Sequence, residues 1–572
     1  MFSTLTFSII LPLFAGVSLL LFALFGRKFE AQGRRNEPRY FALFISAISF
    51  CGIFYLWLIY DRDLGGTQFI QKITWIKRLG ISFAIGADGI SLTFGLLASF
   101  LPFFLYTLSQ DDFNISPANG DNIVSNRSKL IFYGLSLILQ GSILGVFFAF
   151  DAVLFYVFWE LMLFPSYFLL GLWGGRKKIE AALFFILYTF VGSVLMIGGI
   201  AYLGYKSYHQ IGAVNFFMLD HLYSLTFSLS EQIVLAAVFG VAFLSKAALF
   251  PLHAWLPITY VNAPLFLTII MSSLMLKTGF YGLYRFVVIF FADGFAYFAP
   301  LLAWCAAVGS VYGAFCAWHY VRVGSASLRK VVAYSSLSHA GIIALGIIAR
   351  SEISLIGAFV QVVAHAFYIC GLFLLIGRLE PLVERLEGRQ SLGLQSILPG
   401  TSRVFLMMVL ASCALPPLAS FVGEFLIFAG SFKAFPAATL LALTSVFWGA
   451  VYNFEFFRRL FWGPLQLNPT DFNSEQNLEP FLDLSKFDLR GYHQFIFVLI
   501  FTLILFVGLA PKMLTAPFSS NISDNLKLSL LRSVKTKQLE EGSRFRREPP
   551  VTKDPLERNI EGEDSLMLTA LK

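Results

Sequence analysis

Long apolar runs follow one another along almost the whole chain, separated by short charged segments or by proline and glycine. A helix needs about 20 mostly apolar residues to cross a hydrocarbon core of about 30 Å. The runs predict an all-α polytopic membrane protein with about fourteen transmembrane helices. Their approximate ranges are 2–25, 40–60, 84–108, 130–149, 152–173, 181–205, 232–257, 264–291, 297–319, 330–348, 353–377, 403–430, 437–462 and 493–513.

Composition excludes several other classes of protein. Only 13% of the residues are charged and 57% are hydrophobic, about half the charge fraction of a soluble domain. The net charge of +8 comes from basic residues spread over many loops, whereas a nucleic-acid partner would require one basic stripe with aromatics. The five cysteines have no C-x-x-C spacing, so we expect no metal site and no disulfide frame.

Fourteen spans create two sets of loops, one on each side of the membrane, and lysine and arginine are divided unequally between the two sets. One set receives 21 of these residues and the other receives 7. The positive-inside rule places the first set in the cytoplasm or the mitochondrial matrix. We call this side the basic face, and the prediction places both termini on the opposite face.

We single out six ionisable residues inside predicted spans, where each costs roughly 2.5–3.5 kcal/mol on insertion scales. They are Glu160, Lys246, Lys277, His339, His365 and Glu424. Such groups are typical of proton relays. The alternative is structural: the acid and the first lysine could form a neutralising pair, and a histidine could bond a backbone carbonyl. His253 and Arg285 lie near span ends, where snorkelling or interface contacts suffice, so we rank them lower.

Proline interrupts two spans beside these charges. Pro251 and Pro257 follow Lys246 in span seven, and Pro416 and Pro417 precede Glu424 in span twelve. Broken helices at membrane depth mark ion paths in transporters.

The two breaks occupy corresponding places in two blocks of five spans, 130–291 and 292–462, and an odd number of spans inverts the second block. Three spans (1–129) precede these blocks, and a loop with span fourteen (463–513) follows them. Residues 514–572 form a polar extension that we expect to be flexible or laid on a neighbour's surface.

Seven stretches resemble the antiporter-like membrane subunits of respiratory complex I, the NADH:ubiquinone oxidoreductase, and most closely their subunit 4 group (the bacterial subunit M type). They are ISFAIGADGISLTF (81–94), LFYVFWELMLFPSYFLLGLWGGR (154–176), FLSKAALFPLHAWLP (243–257), LMLKTGFYGLYRF (274–286), LRKVVAYSSLSHAGI (328–342), VQVVAHAFYICGLFLLIG (360–377) and LPPLASFVGEFLIFAGSF (415–432). They occur in order at the family's spacing over about residues 80–465.

The resemblance implies a proton-translocating subunit of the membrane arm, in a complex that couples electron transfer from NADH to ubiquinone with proton pumping. The family's proton-handling positions fall on the same six residues. No cofactor is expected in this chain; NAD, FMN, iron–sulfur clusters and ubiquinone are expected in partner subunits. The expected partners are neighbouring antiporter-like subunits and membrane lipids, with no nucleic acid.

The resemblance leaves an alternative, a subunit of a multi-protein Na⁺/H⁺ antiporter. The acid at Glu424 argues against it, because relatives resembling subunit 5 or antiporter proteins tend to carry lysine there. A missing long lateral helix also argues against subunit 5, since only one predicted span follows residue 462.

Two departures from the family concern the basic face. The stretch after Pro257 reads ITYVNAP, where the family usually has DAHVEAP, and Ser327 stands where an aspartate is common. These changes remove acids and a histidine where protons would enter. The altered motif and the high phenylalanine count of 65 favour the mitochondrial inner membrane over a bacterial plasma membrane or a plastid thylakoid.

Overall fold

The computed structural model describes residues 3–25, 37–108, 126–212, 217–323, 328–385, 392–464 and 488–545. This part of the chain contains twenty α-helices and one β-hairpin. The helices are α1 (Thr4–Phe25), α2 (Glu37–Ile59), α3 (Gly89–Thr107), α4 (Asn126–Phe148), α5 (Ala152–Leu161), α6 (Leu163–Trp173), α7 (Lys178–Ile211), α8 (Leu219–Ser224), α9 (Leu229–Lys246), α10 (Trp255–Asn262), α11 (Leu265–Ile270), α12 (Leu276–Gly282), α13 (Ala292–Val323), α14 (Leu328–Ile348), α15 (Glu352–Arg385), α16 (Pro399–Ser412), α17 (Ala419–Phe432), α18 (Pro436–Phe461), α19 (Tyr492–Leu509) and α20 (Pro511–Phe545).

Within the described residues, thirteen helices are long and apolar enough to cross a membrane. The predicted twelfth span is not among them, because its break leaves two helices, α16 and α17, of 14 residues each. With this broken span the predicted fourteen are all present. The prediction of a polytopic helical membrane protein is therefore confirmed.

The core of the protein lies in the spans formed by α3, α4, α11–α12, α14 and α15. Between 83% and 100% of the residues in these spans are buried, whereas the value for α1, α2 and α18 is 33%. Three of the six predicted site residues, Lys277, His339 and His365, lie on these core helices. Contact with lipid or other subunits is thus left to the outer helices, and these three ionisable groups are kept inside.

The two breaks have the same backbone geometry. Helix α9 ends at Lys246 and Ala248 takes a left-handed conformation (φ 53°); helix α16 ends at Ser412 and Ala414 does the same (φ 51°). The N–H of each alanine bonds the carbonyl three residues before it, at 3.2 and 3.4 Å. Each position in the second break lies 166 residues after its counterpart (248 to 414). This correspondence supports the proposed division into two blocks of five spans.

A β-hairpin on the opposite face was not predicted. Strand β1 (Gln68–Ile76) pairs antiparallel with β2 (Ile81–Ala87). The predicted third span began inside β2, at residue 84, but helix α3 begins only at Gly89. Asp88 caps that helix, because its carboxylate accepts the N–H of Ser91 in a capping box. The apolar residues of β2 are buried against the helices, which is why they read as part of the span.

The polar extension also differs from its prediction. Residues up to Phe545 form the 35-residue helix α20, which lies across α3, α13 and α15 of its own chain. Asn521 accepts the N–H of Gly89 (3.1 Å), and Asn525 donates to the hydroxyl of Tyr284 (3.1 Å). One span follows residue 462, as predicted, but a long helix on the surface follows it. Residues 465–487 of the predicted loop and residues 546–572 lie outside the described part of the chain.

Candidate functional site

Lys246 lies at the point where the seventh span breaks. It is the last residue of α9 and is 1% exposed. A cation is favourable at a helix C-terminus because the last carbonyls carry partial negative charge. The ammonium group donates to the carbonyl of Trp159 (3.4 Å) and lies 4.2 Å from the centre of its ring. The indole of Trp255 donates to the carbonyl of Ser245 (2.8 Å), which also accepts the N–H of Ala248 (3.2 Å).

Glu160 follows Trp159 on α5 and interacts electrostatically with Lys246. Among the described residues, however, no hydrogen bond or ion pair joins the two side chains. The Oε1 atom of Glu160 is buried and finds no hydrogen-bond partner in the described part of the chain. In the described part of the chain the two groups thus interact without direct contact.

Asp151 fixes the start of the helix that carries Glu160. Its carboxylate accepts the N–H groups of Val153 (2.9 Å), Leu154 (3.1 Å) and, from strand β2, Ser82 (3.2 Å). Burial raises the pKa of Asp151 to about 6, although these hydrogen bonds act in the other direction. The capping carboxylate thus ties the hairpin to the fifth span.

Lys277 directly contacts a histidine of another helix. Its Nζ lies 2.7 Å from Nδ1 of His365 and donates to the carbonyl of Ser272 (3.1 Å). The segment before it, Met271–Met275, is a π-helical turn inside the eighth span. Such turns are common at functional sites because they leave a backbone carbonyl without its usual partner. Here the lysine donates to a carbonyl within this turn.

Glu424 and His339 form a second pair. Helix α17 resumes after the break in span twelve and places the carboxylate 3.1 Å from Nδ1 of His339. The amide of Gln361 donates to the same carboxylate oxygen (3.0 Å). A cavity of about 10 Å³ adjoins this pair and is also lined by Ser412 and Tyr452. That volume is close to the smallest that holds one water molecule.

The two pairs meet through their histidines. The rings of His365 and His339 lie 5.7 Å apart, and both contact the ring of Tyr368, at 5.2 and 5.5 Å. The Nε2 atom of each histidine is buried without a partner among the described residues. The spatial order is therefore Lys277, His365, His339, Glu424, which differs from the order along the chain.

A second buried ion pair was missed by sequence reasoning. Arg285 bonds Asp88 at 2.6 Å, and the two side chains are 7% and 3% exposed. Arg285 was ranked low because it lies near a span end, and Asp88 was not singled out. The span count does place both residues on the opposite face, at the start of span three and the end of span eight. Their shared position near the opposite face is the feature of the sequence from which this ion pair could have been predicted.

Within the described ranges, no group of three or more His, Cys, Asp or Glu residues is arranged to hold a metal ion. The site is a row of single proton-binding groups, joined by hydrogen bonds and ring contacts in the middle of the helical core. Such a row can accept, hold and pass protons; the side chains themselves carry no redox group.

Comparison with known proteins identifies relatives that are similar in sequence over most of the chain. The subunit M of NADH-quinone oxidoreductase from Pseudomonas aeruginosa is 32% identical over 450 residues, which cover 76% of this chain and 84% of the relative. Chain 4 1 of the Nostoc NAD(P)H-quinone oxidoreductase is 31% identical and covers 84% of this chain and 83% of the relative. The chloroplast chain 4 of Chaetosphaeridium globosum is 30% identical, with 93% and 99% covered.

Solved structures give the same result. A chain of respiratory complex I from Thermus thermophilus superposes with a TM-score of 0.75 and 28% identity, covering 92% of this chain and 99% of that one. A chain of the Mrp complex from Dietzia shares the fold, with a TM-score of 0.71, 18% identity and coverage of 94% and 99%. The profile described as "NADH:quinone oxidoreductase/Mrp antiporter, TM" matches residues 149–448. The chain therefore belongs to the family of NADH:quinone oxidoreductase and Mrp antiporter transmembrane subunits.

Proposed function

We propose that this chain is a proton-translocating membrane-arm subunit of an NADH:quinone oxidoreductase and that the row of buried ionisable groups carries the protons. The observation that carries the proposal is the contact of Lys277 with His365 (2.7 Å) and of His339 with Glu424 (3.1 Å). Four titratable groups from four helices in one continuous row are costly in a membrane. Packing alone would be served better by apolar residues.

The geometry divides the transfer into two short steps and one longer one. Within each pair the proton acceptor lies at hydrogen-bonding distance, so a proton passes without movement of the backbone. Between the histidines, rings 5.7 Å apart require ring rotation or a bridging water. The two unpartnered Nε2 atoms supply the donor and acceptor that such a water needs.

Glu160 and Lys246 control the supply to this row. In a buried site a lysine favours its neutral form, and a nearby carboxylate restores the charged form. Because the two groups interact electrostatically without a direct bond, a small movement of α5 changes how firmly Lys246 holds its proton. Lys277 follows as the next base along the row, three helices further on in the chain (α9 to α12).

Electron transfer belongs to other subunits in this proposal. We place NAD, FMN, iron–sulfur clusters and ubiquinone in partner chains, and this chain supplies no redox centre. The relatives are named NADH-quinone or NAD(P)H-quinone oxidoreductase subunits, which supports membership of such an assembly. Neighbouring antiporter-like subunits are then its partners in the membrane.

The second candidate is a subunit of an Mrp-type Na⁺/H⁺ antiporter, favoured by the likeness of fold to the Mrp complex and by the description of the family, which includes Mrp antiporters. Glu424 distinguishes the two proposals, because antiporter proteins tend to carry lysine at that position. Proton movement that requires sodium, and that continues without NADH, would favour the antiporter.

For the membrane, we propose the mitochondrial inner membrane. The support is the phenylalanine content of 65 residues and the altered motif after Pro257; the relatives named above come from bacteria and a chloroplast. Fractionation of the source cells, with the chain followed by antibody, tests this proposal. Recovery in thylakoids or in a bacterial plasma membrane would contradict it.

The experiment that tests the function measures proton uptake per NADH oxidised in closed vesicles that hold the assembled complex. We expect His365→Gln to assemble normally and to lower proton uptake, because glutamine keeps polar contacts but does not bind a proton at neutral pH. The matched control is His253→Gln, since that ring packs against Phe250 and Tyr312 outside the row. Full pumping by His365→Gln, or an equal loss in the control, would contradict the proposal.

A further inference from the structure

We propose that an apolar crevice between α2, α3, α15 and α19 binds one acyl chain of a glycerophospholipid, whose phosphate lies at Arg62 and Lys512. The crevice has a volume of about 420 Å³, within the usual range of about 300–1,000 Å³ for a ligand site. The inference does not depend on the proposed function. It concerns the outer side of the membrane-spanning helices, away from the row of ionisable groups.

The lining of the crevice selects an apolar occupant. Phe50, Phe54 and Trp57 of α2 form one wall, and Leu503 and Val507 of α19 form the facing wall. Among the described lining residues only Thr93 carries a hydroxyl, and that group already donates to the carbonyl of Gly89 (2.8 Å). Water has almost nothing to bond inside the crevice, so it does not fill such a space.

The position of the crevice identifies the apolar occupant as a lipid chain. From Phe50 to Trp57 it follows roughly 10 Å of α2, at 1.5 Å per residue, and reaches the end of the span on the opposite face. Phe54 is 41% exposed and Phe506 is 48% exposed, so the crevice opens sideways from the helices. In a membrane, that opening faces the acyl chains of the bilayer.

Two cations that suit a phosphate lie next to residues that line the crevice. The guanidinium of Arg62 lies 5.2 Å from the ring centre of Trp57, and Lys512 adjoins Met513, which lines the crevice. Both cations are exposed. Arginine bonds phosphate with two parallel N–H groups and lysine adds a point charge.

Two acids flank Arg62, and one of them is already engaged. The carboxylate of Asp61 accepts the N–H groups of Asp63 (3.0 Å) and Leu64 (3.1 Å). Asp61 is therefore less available to compete with a phosphate for the guanidinium of Arg62. Tryptophan is common at the membrane interface, where its ring meets the lipid head groups.

The test uses vesicles that hold the assembled complex and a phospholipid with a diazirine on one acyl chain. After illumination, we expect label on peptides that contain Phe50–Trp57 and Leu503–Leu514. Val507→Trp fills the crevice and should abolish this labelling. Val498→Trp is the matched control, because Val498 lies on the same helix, is 39% exposed and does not line the crevice; its labelling should equal that of the wild type.

The phosphate is tested separately. We expect the double change Arg62→Gln and Lys512→Gln to weaken labelling by about tenfold or more at limiting probe, while Lys527→Gln, another cation of α20, leaves it unchanged. A diacylglycerol with the same diazirine chain should label weakly. Uniform labelling of all lipid-facing helices would show bulk lipid only, and equal labelling by diacylglycerol would show that the phosphate is not bound. Either result, or a crevice unlabelled in the wild type, would overturn the proposal.

Discussion

Replacing Arg285 by methionine tests the buried ion pair beneath helix α20. The side chains of Arg285 and Asp88 are 7% and 3% exposed and lie 2.6 Å apart. Methionine fills similar space but leaves the carboxylate of Asp88 uncompensated, with the N–H of Ser91 (2.8 Å) as its cap contact. Removing one partner of a buried pair costs about 3–5 kcal/mol. We therefore expect Arg285→Met to lower the free energy of unfolding by most of that amount.

The second arm of this test is a double-mutant cycle. Asp88→Asn keeps the helix cap, since asparagine caps as well as aspartate does, but leaves Arg285 unpaired. The double variant buries no unpaired charge, so its cost should be smaller than the sum of the two single costs by about 2–3 kcal/mol. If the cost of the double variant equals the sum of the two single costs, the two groups do not interact.

The assay follows the assembled complex by native electrophoresis after heating for increasing times. If the ion pair breaks before the transition state of unfolding, removing 3 kcal/mol of stability makes the assembled complex decay about 100-fold faster. Lys527→Met is the control, because Lys527 and Asp524 form an exposed pair at 3.7 Å that is worth about 0.3–0.5 kcal/mol. Decay of Arg285→Met at the rate of this control would refute the reasoning.

Two further predictions concern charge in the first block. Lys246→Arg keeps the charge but cannot release its proton, so the complex should assemble normally but pump poorly. The control is Lys206→Arg, whose partner is Glu231; this variant should pump normally. Full proton uptake per NADH by Lys246→Arg would show that Lys246 is a structural residue. For Asp151, the pKa in the folded protein is about 6 and exceeds the ordinary value of 3.8. The protonated carboxyl therefore contributes to the free energy of unfolding below pH 4. This contribution, about 3 kcal/mol, is lost as the pH rises to 6. Asp151→Asn should therefore gain thermal stability relative to the wild type between pH 4 and 6, and a constant difference would contradict the raised pKa.

The sequence predicted the spans and both breaks because hydrophobic length and proline act locally. Fourteen spans follow from runs of apolar residues, and the break in span twelve follows from Pro416 and Pro417, which remove backbone donors. The six ionisable residues were found by the same local rule, since a charge inside an apolar run is conspicuous. Each of these inferences needs only a short window of chain.

The arrangement of the site needed the structure. His365 contacts Lys277 from 88 residues away, and His339 contacts Glu424 from 85 residues away, so their order depends on how α12, α14, α15 and α17 pack. A helix rotated by one residue would change which histidine meets the lysine. No periodicity fixes that rotation in helices that are apolar on almost every side.

The hairpin and helix α20 were missed for a different reason. Strand β2 is apolar and adjoins a span, so its residues cannot be separated from that span by hydropathy. Helix α20 has a polar composition that resembles an unfolded tail, yet Asn521, Asn525 and Arg532 bond buried backbone and side-chain groups of the core. Its order comes from those tertiary bonds.

The matching breaks at Ala248 and Ala414 show that the shape of the backbone turn and the charge of the residue before it are independent of each other. The same left-handed turn follows a lysine in one block and Ser412 in the other, so the turn does not require a charge beside it. The break therefore holds a side chain at the end of a helix at membrane depth whether that side chain is a lysine or a serine. A single substitution at either position would add or remove a proton-binding group without changing the turn.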